Sequence, residues 1–158
     1  MSTRLADVLH ENYIIADIKA RDKREAIDEM VDEISSRVRG LDRKAVLDSL
    51  LDREKLGSTG IGHGVAIPHG KIKGVNEIMV FFGRSRKGVD FNSMDKQPVY
   101  LFFIIIVPEK AAVAHLKILA SISHLLKNQE FRVKLMRAQR EPDIYRVIVE
   151  ADRHNAVI

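Results

Sequence analysis

The run Val99-Tyr100-Leu101-Phe102-Phe103-Ile104-Ile105-Ile106-Val107, stopped by Pro108, constrains this chain more than any other stretch. A strand with apolar and aromatic side chains at every position has no face to offer to water, and this β-branched, aromatic content disfavours a helix. The run therefore reads as a central strand of a sheet, buried on both faces. A second strand reads at Ile78-Met79-Val80-Phe81-Phe82.

The remaining segments read mainly as helices. Asp22 and Glu25 can each accept a first-turn amide, and Ala26, Ile27, Met30, Val31, Ile34 and Val38 then share one helical face before Gly40. A second helix is predicted over 42–53, with Val46, Leu47, Leu50 and Leu51 apolar. A third is predicted over 111–127, burying Leu116, Leu119, Ile122, Ser123 and Leu126, and two short helices follow, the last with Pro142 in its first turn. Charges of the first helix are expected to form a solvated face. Helices before, between and after strands give an α/β (α+β) fold with a single mixed sheet flanked by helices on both faces. The 158 residues show no linker, repeat or low-complexity tract, so one domain over 1–158 is expected.

Composition closes off several classes of function. Hydrophobic residues are 46% and charged residues 30% of the chain, as in a folded globular protein. No apolar stretch reaches the length of a membrane span, and the first seven residues lack the apolar core of a signal peptide, so a cytoplasmic location without membrane insertion is expected. Cysteine is absent, which removes disulfides, thiolate catalysis and cysteine metal sites. The formal net charge is +4, yet bases and acids are interleaved, as over 22–29, with no basic run carrying aromatics. Nucleic acid is not an expected partner; a mildly basic surface could steer an acidic protein.

Chemistry concentrates between Arg53 and Lys71, where Gly57, Gly60, Gly62, Gly64 and Gly70 are five of the nine glycines in the chain. Such density lets backbone amides turn toward an anion. Ser58 and Thr59 add hydroxyls, and Arg53 and Lys71 add cations. His69 follows the short apolar strand Val65-Ala66-Ile67, between Pro68 and Gly70, where an imidazole is presented at a strand end. A neutral imidazole keeps one nucleophilic nitrogen and could carry phosphate covalently. The Lys-Ser/Thr ending of a nucleotide-binding loop is missing.

Taken alone, the same loop is equally a cluster of tight turns, Arg53 a cation favoured at a helix end, and Lys71 a solvated flank. A zinc site from His63, His69 and His115 has no ligand spacing on one element to support it. His10, His124 and His154 read as surface or helix residues.

The segment resembles the phosphoacceptor signature of the phosphotransferase-system (PTS) enzyme IIA domains of the mannitol/fructose class, which include the nitrogen-regulatory IIA proteins. Glu54, six intervening positions, Ile61-Gly62, two more positions, and Val65-Ala66-Ile67-Pro68-His69-Gly70 match every fixed position. Likeness continues at Asp95-Lys96-Gln97-Pro98-Val99, at Val107-Pro108 and at His115-Leu116. The resemblance implies a mixed sheet between helices and no cofactor. It also implies His69 as the phosphoacceptor through Nε2, Arg53 holding the phosphoryl group, and His115 as a second active-site histidine. Ser58 and Thr59 correspond to a hydroxyl pair assigned to phosphate binding. The implied donor is an HPr-type phosphocarrier and the recipient a regulated target protein or a IIB domain, making this a phosphotransferase component that is a carrier more than a turnover enzyme. Three roles fit: nitrogen-regulatory IIA protein, IIA component of a fructose or mannitol transporter, and non-catalytic regulatory binding module. The free-standing chain favours the first.

Overall fold

The computed structural model describes residues 4–156; Met1–Thr3, which open the segment read as lacking a signal-peptide core, lie outside them, as do residues 157 and 158. The elements are α1 (Leu5–Val8), β1 (Leu9–Ile15), α2 (Lys23–Arg37), α3 (Arg43–Lys55), β2 (Gly60–Gly62), β3 (Val65–Ala66), β4 (His69–Ile72), β5 (Met79–Val89), β6 (Val99–Pro108), α4 (Ala112–Leu126), α5 (Gln129–Arg137) and α6 (Glu141–Ala156).

The apolar run forms β6, and β6 is the spine of a six-stranded mixed sheet ordered β1-β5-β6-β3-β2. One side of β6 pairs antiparallel with β5. The other side is shared by two parallel segments, β3 opposite Leu101 and Phe102 and β4 opposite Ile105 to Pro108. Between them the chain jogs through Ile67-Pro68, where Pro68 has no amide to give and its carbonyl accepts from Ile105 at 2.9 Å. His69 is the first residue after that jog.

Both faces of β6 are covered. Leu101, Phe103, Ile105 and Val107 join the core under α1, α4, α5 and α6, while Phe102, Ile104 and Ile106 join the core under α2 and α3. This period-two division explains the absence of polar alternation. Truncating a fully buried spine residue such as Ile104 to Ala would cost about 2–5 kcal/mol.

Helices α2 and α3 start as predicted, whereas the short α1 is not among the predicted elements. Asp22 accepts the Glu25 amide at 2.9 Å, and Asp42 accepts that of Ala45 at 3.2 Å. Four readings are corrected. The α4 face that is buried is Ile118, Ile122, Leu125 and Leu126, leaving Leu116 65% exposed; His115 lies on the inward stripe instead, one turn before Ile118 and Leu119. The last helix spans 16 residues, so it is not short. Strand β5 runs on through Gly83-Arg84-Ser85-Arg86-Lys87-Gly88, whose polar composition hides it. Charges of the first helix are not all solvated, because Lys23 is turned inward, with its side chain 17% exposed. Element β1, with His10-Glu11-Asn12 in its middle, carries no alternation that would have announced it.

Candidate active site around His69

The site forms where the end of α3, the start of β4 and the first turns of α4 meet. Helix α3 is brought onto β4 by the pair Ser49 and Gly70. A Cβ at Gly70 would lie 2.3 Å from Ser49 Oγ and 3.1 Å from Ser49 Cβ, so only glycine permits this approach. The Ser49 hydroxyl then donates to the Lys71 carbonyl at 3.0 Å. One helical turn further along α3, Arg53 arrives beside His69.

The histidine is oriented by two contacts. Its Nδ1 lies 2.8 Å from the Ile67 carbonyl, an acceptor, so Nδ1 carries the proton. Nε2 is left with its lone pair, and the Arg53 Nε–H donates to it at 3.3 Å. The same guanidinium donates through Nη1 to the Gly57 carbonyl at 2.9 Å, tying itself to the glycine-rich loop. His69 is half-buried, so the ring is held by the fold yet reachable from outside.

His115 supplies the third side. Its ring centroid is 5.3 Å from that of His69, with the planes inclined at 58°. Its Nε2 is buried without a hydrogen-bond partner. Burial lowers its pKa, and the charges of His69 and Lys71 lower it further. A neutral His115 is thereby favoured next to the acceptor. Ala111, at the N-terminus of α4, offers no side-chain cap, so its own side chain does not compete for the first-turn amides.

His69, Arg53 and His115, predicted from separate parts of the chain, are thus brought together. Ser58 and Thr59 lie in the same loop with their hydroxyls engaged elsewhere. Ser58 Oγ donates to the Phe91 carbonyl and accepts from the Gly60 amide, both at 3.0 Å. Thr59 is buried, its hydroxyl and its amide both donating to the Glu54 carboxylate. Lys71 is exposed. His63 is the exposed corner of the β2–β3 hairpin, with φ of 58° followed by 76° at Gly64, the pair of positive values a two-residue turn of this kind requires. Among the described residues, no three His, Asp or Glu side chains are grouped to hold a metal ion. His10, His124 and His154 are exposed.

Glu54 and Lys23 were not singled out as interacting groups from sequence. A signal existed: Glu54 falls four positions after Leu50 and seven after Leu47, on the stripe that the helix buries.

Comparisons with known proteins give the family of the chain and the likeness of its fold. Residues 7–151 match the family described as "Phosphoenolpyruvate-dependent sugar phosphotransferase system, EIIA 2". A nitrogen regulatory protein of Bradyrhizobium diazoefficiens is 39% identical over 144 residues, covering 91% of this chain and 94% of that protein. The fructose-specific EIIABC component of Bacillus subtilis is 38% identical over 150 residues, covering 95% of this chain but 24% of that much longer protein. The crystal structure of the nitrogen regulatory protein IIA-Ntr from Neisseria meningitidis superimposes with a TM-score of 0.84 at 33% identity, covering 91% of this chain and 98% of that one. Among the described residues no helix is long and apolar enough to cross a membrane. With a family match over nearly its whole length, and with nitrogen-regulatory and fructose-specific proteins both among its relatives, this chain belongs to the EIIA 2 family of the phosphotransferase system, whose members carry phosphate between components of that system.

Proposed function

We propose that this chain accepts a phosphoryl group on Nε2 of His69 from the phosphohistidine of an HPr-type carrier and holds it for a protein recipient. The observation that carries the reading is the orientation of the ring: Nδ1–H is committed to the Ile67 carbonyl, so the free lone pair belongs to Nε2, the atom that Arg53 faces. In the transfer, the P–N bond of the donor breaks and its electron pair returns to the donor imidazole while the Nε2 lone pair forms the new P–N bond. No proton needs to move, because Nδ1 keeps its proton, and the Ile67 carbonyl oxygen that accepts it offsets part of the positive charge that the ring acquires. Phosphoryl transfer of this kind asks the protein for in-line placement and for charge on the equatorial oxygens. The Arg53 guanidinium supplies the charge, and the neighbouring His115 ring, whose Nε2 has no partner, is a second imidazole able to donate from a protonated ring nitrogen. Ser58 and Thr59 contribute by shaping the loop whose backbone faces the site, since their hydroxyls are engaged.

The nitrogen-regulatory branch is favoured by the near full-length likeness to the Bradyrhizobium and Neisseria proteins. Its phosphorylation state would then be read by a regulated target. The sugar branch is a second reading, supported by the fructose-specific Bacillus subtilis relative, and there the recipient is a IIB domain.

Incubation with an HPr-type donor phosphorylated on histidine tests the acceptor. Labelling is expected in the wild type and lost in His69→Ala with the circular dichroism unchanged; undiminished labelling of that variant reassigns the acceptor. Comparing donors of the nitrogen and sugar branches, and transfer onward to a fructose-type IIB domain, assigns the branch.

A further inference from the structure

Two adjacent residues of α3 hold the acceptor loop from opposite sides. Arg53 reaches the Gly57 carbonyl and His69. Glu54 turns the other way, into the protein, and is 8% exposed. We propose that Glu54 is a positioning residue for phosphoryl transfer, fixing the loop that in turn fixes the Arg53 guanidinium; this inference rests on the phosphotransfer reading above.

A carboxylate on a buried helical stripe is costly unless every lone pair facing the interior finds a donor. Glu54 finds three. Oε1 accepts from the Thr59 amide at 3.1 Å and pairs with Lys23 Nζ at 3.0 Å, and Oε2 accepts from the Thr59 hydroxyl. Lys23 comes from the first turn of α2 and also lies over the Phe91 ring, 5.0 Å from its centroid. The Phe91 carbonyl accepts from Ser58. Ser58 and Thr59 are thus both pinned to the body of the protein, through Phe91 and through Glu54. What remains free of this brace is the Gly57 carbonyl, which receives Arg53.

Stability alone is a weak account of this arrangement. A buried ion pair seldom outperforms well-packed apolar groups of the same size, so replacing the whole cluster with apolar side chains would cost little or nothing, whereas leucine at position 54 alone would strand Lys23. Leucine would also release the Thr59 amide and hydroxyl, and with them the loop that carries the Gly57 carbonyl. Glu54 has no contact with the His69 ring, so its influence on transfer runs through the loop and Arg53. Displacement of a charged group by a fraction of an ångström is enough to slow a reaction governed by placement.

The test measures rapid-quench phosphoryl transfer from a phosphorylated HPr-type donor, in the full chain, with maximal rate and donor half-saturation determined separately. Glu54→Gln is expected to lower the maximal rate about tenfold with half-saturation unchanged. In an Arg53→Ala background the same substitution is expected to have no further effect, because the residue it acts through is gone. The triple variant Lys23→Met, Glu54→Leu, Thr59→Val replaces the whole cluster with apolar groups; it is expected to melt at or above the wild-type temperature while transferring at the reduced rate, and it decides the question if Glu54→Gln alone does not fold. Wild-type maximal rate in the folded variants, or independent multiplication of the Glu54 and Arg53 effects, overturns the proposal. Absence of labelling in the wild type is a different result, which removes the phosphotransfer reading itself.

Discussion

The imidazoles of His115 and His69 lie 5.3 Å apart between centroids, and the inner nitrogen of His115, Nε2, is sealed from water with nothing to bond. Burial, then the charges of His69 and Lys71, depress the His115 pKa. In the unfolded chain this residue takes up a proton near pH 6.5, whereas in the folded protein it resists until the pH is lower. The unfolded state therefore binds more protons in that interval, and the contribution of His115 to stability, complete above about pH 6.5, declines as the pH falls from there toward the folded value. The melting temperature of the wild type is expected to drop more between pH 7.5 and 5.5 than that of His115→Asn. Proton resonances of His115 should titrate below 6.5 and shift to higher pH once His69 carries phosphate, since a dianion favours the charged ring. Equal pH slopes for the two proteins would remove His115 as the cause.

Arg53 makes two bonds from different edges of one planar group, Nε to His69 and Nη1 to Gly57. Lysine keeps the charge but cannot make both. Arg53→Lys is expected to slow transfer about 10²-fold, the scale for losing a preorganised donor to developing charge, with donor half-saturation preserved. Quench-flow labelling measures this. A rate within twofold of wild type would mean that charge alone suffices.

Gly70 makes room for Ser49, and through that contact α3 sits close enough for Arg53 to reach His69. Gly70→Ala is expected to destabilise the protein by about 1–3 kcal/mol in urea unfolding, the range for overpacking, and to slow transfer in the folded fraction. Adding Ser49→Ala removes the nearest clashing atom, Oγ, and should recover part of both losses. A fully stable Gly70→Ala variant would show that α3 can shift freely.

Arg84 is a fully buried guanidinium whose partners among the described residues are all carbonyls: Ala16 at 3.2 Å, Leu135 at 2.9 Å, and Met136 and Ala138 at the end of α5. Burial lowers its pKa, the nearby Arg86 adds to this, and Asp17 opposes it. The residue joins β5 to the C-terminal end of α5, where a cation complements the helix dipole. Arg84→Met strands several buried acceptors and should cost at least about 3 kcal/mol in denaturant unfolding, summed at roughly 1–3 kcal/mol per group. Because Arg84 makes no contact with the His69 cluster, the folded fraction should still transfer phosphate at the wild-type rate.

Much of this was legible in the chain. Val99 to Val107 declared a two-faced central strand because it lacks polar alternation, and that strand organises the whole sheet. Asp22 and Asp42 announced helix starts through cap chemistry that acts within three residues. By contrast, β1 carries polar residues at its centre and β5 continues through two arginines and a lysine, so pairing with neighbours had to override local pattern. Leu116 was placed on the wrong face of α4 because several apolar stripes are available on so apolar a helix, and packing chose the one that turns His115 inward.

Local order in the chain determined which residue types stand together between Arg53 and Lys71, and therefore that an imidazole, a guanidinium and glycine-rich backbone would share one neighbourhood. The tertiary structure alone decided which nitrogen of His69 is free, that Ser58 and Thr59 face the body of the protein, and that Glu54 finds Lys23 from another helix. The physical reason is range. Turns, caps and periodicity act over a few residues, whereas a tautomer or a buried ion pair is set by partners that only packing brings within hydrogen-bond distance.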